Sequence, residues 1–92
     1  MREESNLILE RKVTLTNEVG LHARPAAKFV KTAASFKCTV KVLKNGNEAD
    51  AKSITSILFL DVRKGDMVTI RATGEDAERA IKTLTKLVKE FK

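Results

Sequence analysis

Residues 9–33 read LERKVTLTNEVGLHARPAAKFVKTA, and the period of the hydrophobic pattern changes within them. Residues 9–16 alternate apolar and polar side chains, which predicts a strand with one buried face. Its apolar positions are Leu9, Val13 and Leu15. Three- and four-residue spacing then predicts an amphipathic helix. Its apolar positions are Ala26, Ala27, Phe29, Val30 and Ala33. Because Pro25 fits only in the first turn, this helix begins near residues 22–24.

The rest of the chain predicts three more strands and two more helices. Strands are expected over residues 38–43, 47–51 and 67–72, and the Asn45-Gly46 pair between the first two is typical of a type I′ hairpin. Ser53 is a suitable N-cap for a short helix. The apolar side of that helix comprises Ile54, Ile57, Leu58 and Leu60. After Gly74 comes the most regular apolar stripe of the chain, Ala77, Ala80, Ile81, Leu84, Leu87, Val88 and Phe91.

The element order β-α-β-β-α-β-α decides the expected fold class. Each strand is apolar on one face only, which favours an antiparallel sheet covered by helices on that face. We therefore expect an α+β fold, an open-faced β-sandwich with a four-stranded antiparallel sheet and three helices on one face. The chain has four phenylalanines, Phe29, Phe36, Phe59 and Phe91, and most of them are core candidates in this arrangement.

Length and composition exclude several classes of protein. With 92 residues, 42% of them hydrophobic and 33% charged, the chain suffices for one globular domain but not for separate cofactor and substrate domains. One cysteine and one histidine supply neither a disulfide framework nor a zinc site. Without a catalytic triad or glycine-rich loop, we do not expect a stand-alone enzyme or a bound cofactor. An absent secretory signal indicates a cytoplasmic location.

The net charge of +6 raises the question of an acidic partner. In the last helix, acidic residues precede lysines, a distribution that opposes the helix macrodipole and needs no ligand. Most of the cations on strand faces and in the hairpin are interpreted as solvated surface, from the set Arg11, Lys12, Lys41, Lys44 and Lys52. The chain has no Trp or Tyr for base stacking, so a nucleic-acid-binding module is a remote alternative. No helix combines a basic face with a large apolar one, so membrane binding is not expected.

Basic residues concentrate at the start of the first helix, where Arg24, Lys28 and Lys31 follow His22. The N–H groups and positive dipole end of a helix N-terminus stabilise an anion such as phosphate. A guanidinium matches phosphate oxygens, and a neutral imidazole is a usable nucleophile. Spacing alone leaves two interpretations open: a phosphoryl group held on His22, or a loop histidine beside a solvated arginine.

Residues 20–27, GLHARPAA, resemble the active-site signature of HPr, the histidine-containing phosphocarrier family of the bacterial phosphoenolpyruvate-dependent sugar phosphotransferase system. Three further segments are similar to segments of that family, namely Lys52-Ser53-Ile54, Lys64-Gly65-Asp66 and Gly74-Glu75-Asp76-Ala77. The resemblance implies the same open-faced sandwich. It also predicts an HPr-like domain over residues 8–92, preceded by a short N-terminal extension over residues 1–7.

The resemblance implies roles for individual residues. His22 corresponds to the phosphorylated histidine, which accepts a phosphoryl group on its δ nitrogen from Enzyme I and donates it to IIA domains of sugar permeases. Arg24 corresponds to the arginine that stabilises the phosphate. The family's partner surface lies on the first and second helices, which makes contact candidates of Lys28, Lys31, Ile54 and Leu58. The family expectation for the oligomeric state is a monomer.

Ser53 corresponds to a serine that a dedicated kinase phosphorylates in many Gram-positive members, which lowers carrier activity and creates a co-repressor. The resemblance thus also implies two regulatory partners, an HPr kinase/phosphorylase and a catabolite-control transcription factor. Two positions differ from kinase-regulated members: Thr55 stands where they usually have a bulky apolar residue, and Asp61 where Gly or Ala is common. The alternative function is a nitrogen-branch or regulatory HPr paralogue, although His22 argues against paralogues that have lost the phosphorylation site.

Overall fold

The computed structural model describes residues 7–92. Over this range the elements follow the predicted order β-α-β-β-α-β-α. The strands are β1 (Ile8–Thr14), β2 (Thr39–Lys44), β3 (Asn47–Asp50) and β4 (Met67–Thr73), and the helices are α1 (Ala23–Ala34), α2 (Ile54–Leu60) and α3 (Ala77–Glu90). The extension predicted over residues 1–7 lies, apart from Leu7, outside the described residues, so it stays a prediction.

The sheet is antiparallel throughout, with the strand order β1-β4-β2-β3. The register pairs Val13 of β1 with Val68 of β4, and Val42 of β2 with Ile70 of β4, so the buried side chains of neighbouring strands lie side by side. The helices cover this face, whereas the opposite face carries exposed side chains such as Met67. The predicted open-faced α+β sandwich is therefore confirmed.

The hydrophobic core lies between the sheet and the helices. Each helix contributes a fully buried side chain to it: Phe29 from α1, Ile57 from α2 and Leu84 from α3. Burial of a side chain of this size stabilises the fold by about 1.5–3 kcal/mol. None of the helices within residues 7–92 is long and apolar enough to cross a membrane.

The predicted apolar side of α2 is partly wrong. Ile57 and Leu60 are buried, but Ile54 is 39% exposed, Leu58 is 40% exposed and Phe59, a core candidate, is 88% exposed. The physical reason is length. A helix of seven residues presents one stripe roughly 100° wide to the core, and five apolar side chains do not fit on it. The surplus apolar residues therefore lie on the outer surface.

Two lysines interpreted as solvated are tethered instead. Lys52 Nζ donates to the Phe36 carbonyl at 2.7 Å, and Lys44 Nζ donates to the Asp61 carbonyl at 2.6 Å. A lysine stem is long enough to lie along the protein surface and satisfy a carbonyl that has no helical partner. Ala27, predicted on the apolar stripe of α1, is exposed.

Candidate functional site

His22 is the residue that immediately precedes α1. Its backbone is extended, with φ −131° and ψ 163°, and its side chain makes no capping hydrogen bond to the helix. The imidazole is 36% exposed. Ala23 follows with φ 53°, an unusual conformation for a residue with a side chain. The ring is therefore accessible from outside and does not occupy the amides of the helix start.

The first turn of α1 is electrostatically suited to an anion. It contains no acidic residue. Pro25 has no N–H group, and the Ala26 amide donates to the His22 carbonyl at 3.5 Å. The amides of Ala23 and Arg24 have no carbonyl one turn earlier to bind, as at every helix start. Together with the positive end of the helix dipole, they favour negative charge next to the imidazole.

The cations predicted at this site lie along one groove on the exposed side of α1. Arg24, Lys28 and Lys31 line it, together with Ala27 and Thr32. All three cations are exposed, which leaves their charges free to attract an acidic partner or an anion. The structure thus places the predicted basic residues on the helix that begins at the imidazole.

The structure also brings Asp61, a residue 39 positions away in sequence, into contact with His22. The Oδ1 atom of Asp61 lies 3.0 Å from Nε2 of the imidazole. Its Oδ2 atom accepts from Arg63, at 3.1 Å from Nε and 2.9 Å from Nη2. The Arg63 guanidinium, with a smaller effect from His22, lowers the pKa of the Asp61 carboxyl below its ordinary value. Asp61 is therefore ionised at neutral pH.

Two backbone features hold the segment after α2 against the segment before α1, and a lysine side chain from β2 anchors it as well. The Leu21 amide donates to the Val62 carbonyl at 2.9 Å. Gly20, with φ 62°, has Val62 so close that a β-carbon would overlap the carbonyl oxygen. On the other side, Lys44 Nζ binds the Asp61 carbonyl. These contacts fix where Asp61 stands relative to the imidazole.

Sequence patterns predict no role at the site for Asp61 and Arg63. Periodicity does not show which loop a histidine meets, because that depends on the path of the chain through the sheet. One signal was present: Asp61 stands where Gly or Ala is common in the family that the chain resembles. In the structure it ends α2 in the left-handed conformation, with φ 53° and ψ 55°, which glycine adopts most readily.

The remaining predicted site residues lie on α2, which packs against α1. Ser53 is the N-cap, as predicted, and its Oγ atom accepts from the Ser56 amide at 3.3 Å. Ile54 and Leu58 form an apolar exposed side of the helix. They are available for a partner rather than engaged in the core. Within residues 7–92 no cluster of three or more His, Cys, Asp or Glu side chains is arranged to hold a metal ion.

Comparison with known proteins agrees with this arrangement. Residues 9–90 match the family model described as the phosphorylation site of the HPr component of the phosphotransferase system. The phosphocarrier protein HPr of Vibrio cholerae is 43% identical over 82 residues, which cover 89% of this chain and 96% of the relative. The crystal structure of an HPr from Thermoanaerobacter tengcongensis superposes with a TM-score of 0.87 at 43% identity, covering 88% of this chain and 91% of that one.

A second solved structure bears on the oligomeric state. A crystal structure described as an HPr dimer, also from Thermoanaerobacter tengcongensis, has a TM-score of 0.72 at 44% identity and covers 84% of this chain and 88% of that chain. Similar chains therefore occur as dimers, and the expectation of a monomer stays a prediction.

Proposed function

The chain belongs to the HPr family of phosphocarrier proteins, and from this premise we propose that it carries phosphoryl groups between two proteins of the sugar phosphotransferase system. His22 accepts the group from Enzyme I and passes it to IIA domains of sugar permeases, in the cytoplasm. The observation that carries the proposal is the accessible imidazole directly before α1, a helix with no acidic residue in its first turn.

The chemistry of the site supports reversible transfer. A neutral imidazole is a nucleophile, and the helix start and Arg24 offset the charge that a phosphoryl group adds. Arg24 adds a planar fork of donors that matches phosphate oxygens. The ring lies at the surface rather than in an enclosed pocket, so two different partners can reach it in turn. The protein is in this role a substrate of other enzymes and not itself a catalyst.

The partner surface that we propose combines two chemistries. Lys28 and Lys31 on α1 supply positive charge, and Ile54 and Leu58 on α2 supply exposed apolar contacts. Because α1 and α2 are in contact, the two groups lie on adjacent helices, and we propose that one partner binds both. A small interface of this kind suits transient complexes, in which charge guides the encounter and apolar contacts complete it.

The test is phosphorylation in a purified system. The protein is incubated with labelled phosphoenolpyruvate and Enzyme I, and the label is assayed for the acid lability of phosphohistidine. Wild type should acquire acid-labile label and His22→Ala should acquire none. An unlabelled wild type with its cognate Enzyme I would refute the proposal. Preferential labelling by a nitrogen-branch Enzyme I would assign the alternative, a nitrogen-branch paralogue.

We further propose that Ser53 is a site of regulatory phosphorylation. Its hydroxyl caps α2 and is only partly buried, and it stands beside Ile54 of the partner surface. A phosphate there would place negative charge on a surface that must bind an acidic partner. With ATP and an HPr kinase, wild type should gain acid-stable phosphate that Ser53→Ala lacks and the neighbouring Ser56→Ala retains. Label on Ser53→Ala equal to wild type would refute this assignment.

A further inference from the structure

The Asp61 carboxylate is the only protein group within residues 7–92 that forms a side-chain hydrogen bond with His22. The proposed phosphoryl transfer uses His22 and Arg24 and leaves this carboxylate without a role. The contact joins two segments that are far apart in sequence, and it involves one specific ring nitrogen, Nε2, at 3.0 Å. A contact of this kind restricts what the other ring nitrogen can do.

The carboxylate is held in one orientation by its neighbours. Its Oδ2 atom is occupied by two nitrogens of Arg63, at 3.1 and 2.9 Å, so Oδ1 faces His22. The backbone is fixed as well, since Lys44 Nζ donates to the Asp61 carbonyl at 2.6 Å. The left-handed conformation at φ 53° carries a conformational cost for a residue with a side chain, although Asp tolerates it better than most.

The direction of the hydrogen bond follows from the chemistry of the two groups. An ionised carboxylate has only acceptor atoms, so the proton of the His22–Asp61 hydrogen bond belongs to Nε2. A neutral imidazole carries one proton on its two nitrogens. When that proton is on Nε2, the lone pair is on Nδ1. The Asp61 contact therefore selects the tautomer in which Nδ1 is the nucleophile.

We propose that Asp61 is a positioning residue for phosphoryl transfer, which holds the His22 ring in the Nε2–H tautomer and presents Nδ1 to the incoming phosphorus. The inference rests on the proposed function, because it concerns the same imidazole. A carboxylate that orients a reacting histidine through its other nitrogen acts in the same manner in hydrolases and metal sites. Here the ring is oriented toward a phosphoryl group.

The transfer step balances in this geometry. The Nδ1 lone pair forms a bond to phosphorus while the bond from phosphorus to the donor atom of Enzyme I breaks, and its electron pair returns to that donor atom. No proton has to leave Nδ1, because none is there. The proton stays on Nε2, and the positive charge that the ring gains faces the Asp61 carboxylate. In the reverse direction the same charge makes the ring a good leaving group.

The test compares Asp61→Asn and Asp61→Gly with the control Glu18→Gln. Glycine suits the left-handed backbone at this position, so Asp61→Gly removes the carboxylate with little risk to the fold. Asp61→Asn retains the shape of the side chain but removes its negative charge. Glu18 is an exposed carboxylate four residues before His22 that binds Lys64 at 3.0 Å and does not touch the ring. The control thus removes the same charge from the same region.

Two readouts are measured on the full-length protein. The first is the Nε2–H proton resonance of His22 in the unphosphorylated protein, by nitrogen-15-edited NMR at low temperature. The second is the rate of phosphorylation by Enzyme I, resolved into kcat and KM. We expect Asp61→Gly to lose the protected resonance to solvent exchange and to lower kcat about tenfold with KM unchanged. Asp61→Asn should be intermediate, and Glu18→Gln should match wild type.

Each result either supports or overturns the proposed role of Asp61. A wild-type resonance in Asp61→Gly overturns the proposal, as does a lost resonance with an unchanged kcat. A fall in rate that appears only in KM indicates a partner contact and also overturns it. If wild type accepts no phosphoryl group at all, the proposed function fails, while the resonance still shows whether Asp61 holds the ring.

Discussion

Gly20 lies so close to Val62 that a β-carbon on the glycine would overlap the Val62 carbonyl oxygen and lie 2.7 Å from the α-carbon of Arg63. This approach joins the segment that leads into His22 to the segment that carries Asp61 and Arg63. The positive φ of 62° at Gly20 directs the chain toward the start of α1. Two backbones that touch at this point set the distance between the imidazole and the carboxylate.

Gly20→Ala should therefore destabilise the protein more than Gly46→Ala does. Both glycines have positive φ, but Gly46, in the β2–β3 hairpin, has open space around it. Gly46→Ala is the control and should lower the free energy of unfolding by about 1–2 kcal/mol, because alanine is strained in the left-handed conformation. Gly20→Ala should lower it by about 2–5 kcal/mol, because the steric overlap adds to that strain. Urea unfolding measures both. Equal losses in the two variants would show that the close approach contributes nothing.

The stability of the protein should fall in acid because of Asp76. Its carboxylate accepts from the Lys37 and Cys38 amides, each at 2.9 Å, and so joins the start of α3 to the residues just before β2. These hydrogen bonds lower the pKa of Asp76 from 3.8 to about 2, and the bond from the Lys37 amide has the largest effect. A folded-state pKa below the unfolded one stabilises the protein above pH 3.8. That contribution is lost as the pH falls toward 2.

Asp76→Asn checks this pH dependence. The variant should be less stable than wild type at neutral pH, and the difference should shrink as the pH falls from 3.8 to about 2. Glu75→Gln, which removes the same charge one residue earlier, is the control and should not show this convergence. Urea midpoints across this pH range give the answer. A difference between wild type and Asp76→Asn that stays constant down to pH 2 would contradict the assignment.

Cys38 should be inert toward thiol reagents in the folded protein. The side chain is buried, and burial, together with the Asp76 carboxylate, raises the pKa of the thiol to about 11. Only the thiolate reacts, so both access and ionisation oppose the reaction. A thiol added on the exposed face of α3, in Thr83→Cys, supplies an internal comparison. An aromatic disulfide reagent should label the added thiol rapidly and Cys38 only after unfolding. Equal rates for the two would exclude this protection.

Leu58→Ser should weaken the encounter with Enzyme I without harming the fold. Leu58 is an exposed residue of the proposed partner surface, whereas Met67 is exposed on the open face of the sheet, away from the helices. A contact worth about 1.4 kcal/mol changes KM about tenfold. We expect that change for Leu58→Ser and none for Met67→Ser, with both urea midpoints close to wild type. Identical KM values for the two variants would place the partner elsewhere.

Sequence patterns are sufficient to predict the strands and helices, but not how these elements pack against one another. The change of period around Gly20 and the regular stripe of α3 predicted a strand and two long helices, because alternation and helical spacing are local properties. In α2, five apolar residues on seven positions gave no unique inward side, so the exposure of Ile54, Leu58 and Phe59 required the structure.

The functional site, too, could be predicted only in part from the sequence. His22, Arg24 and the helix start are neighbours in sequence and were predicted together. The Asp61 carboxylate meets the imidazole only because β4 lies between β1 and β2 and because Lys44 and Gly20 hold the segment after α2 in place. A contact across 39 positions depends on this topology, and no periodicity encodes it.

The most direct test of the central claim, that His22 carries a phosphoryl group from one protein to another, is a two-step transfer. The chain is phosphorylated by Enzyme I and phosphoenolpyruvate, purified away from both, and mixed with a IIA domain. The prediction is one phosphoryl group per chain, located on His22, which then moves to the IIA domain, and none on His22→Ala. A chain that takes up no phosphoryl group, or that keeps it in the presence of every IIA domain of its source, would contradict the claim.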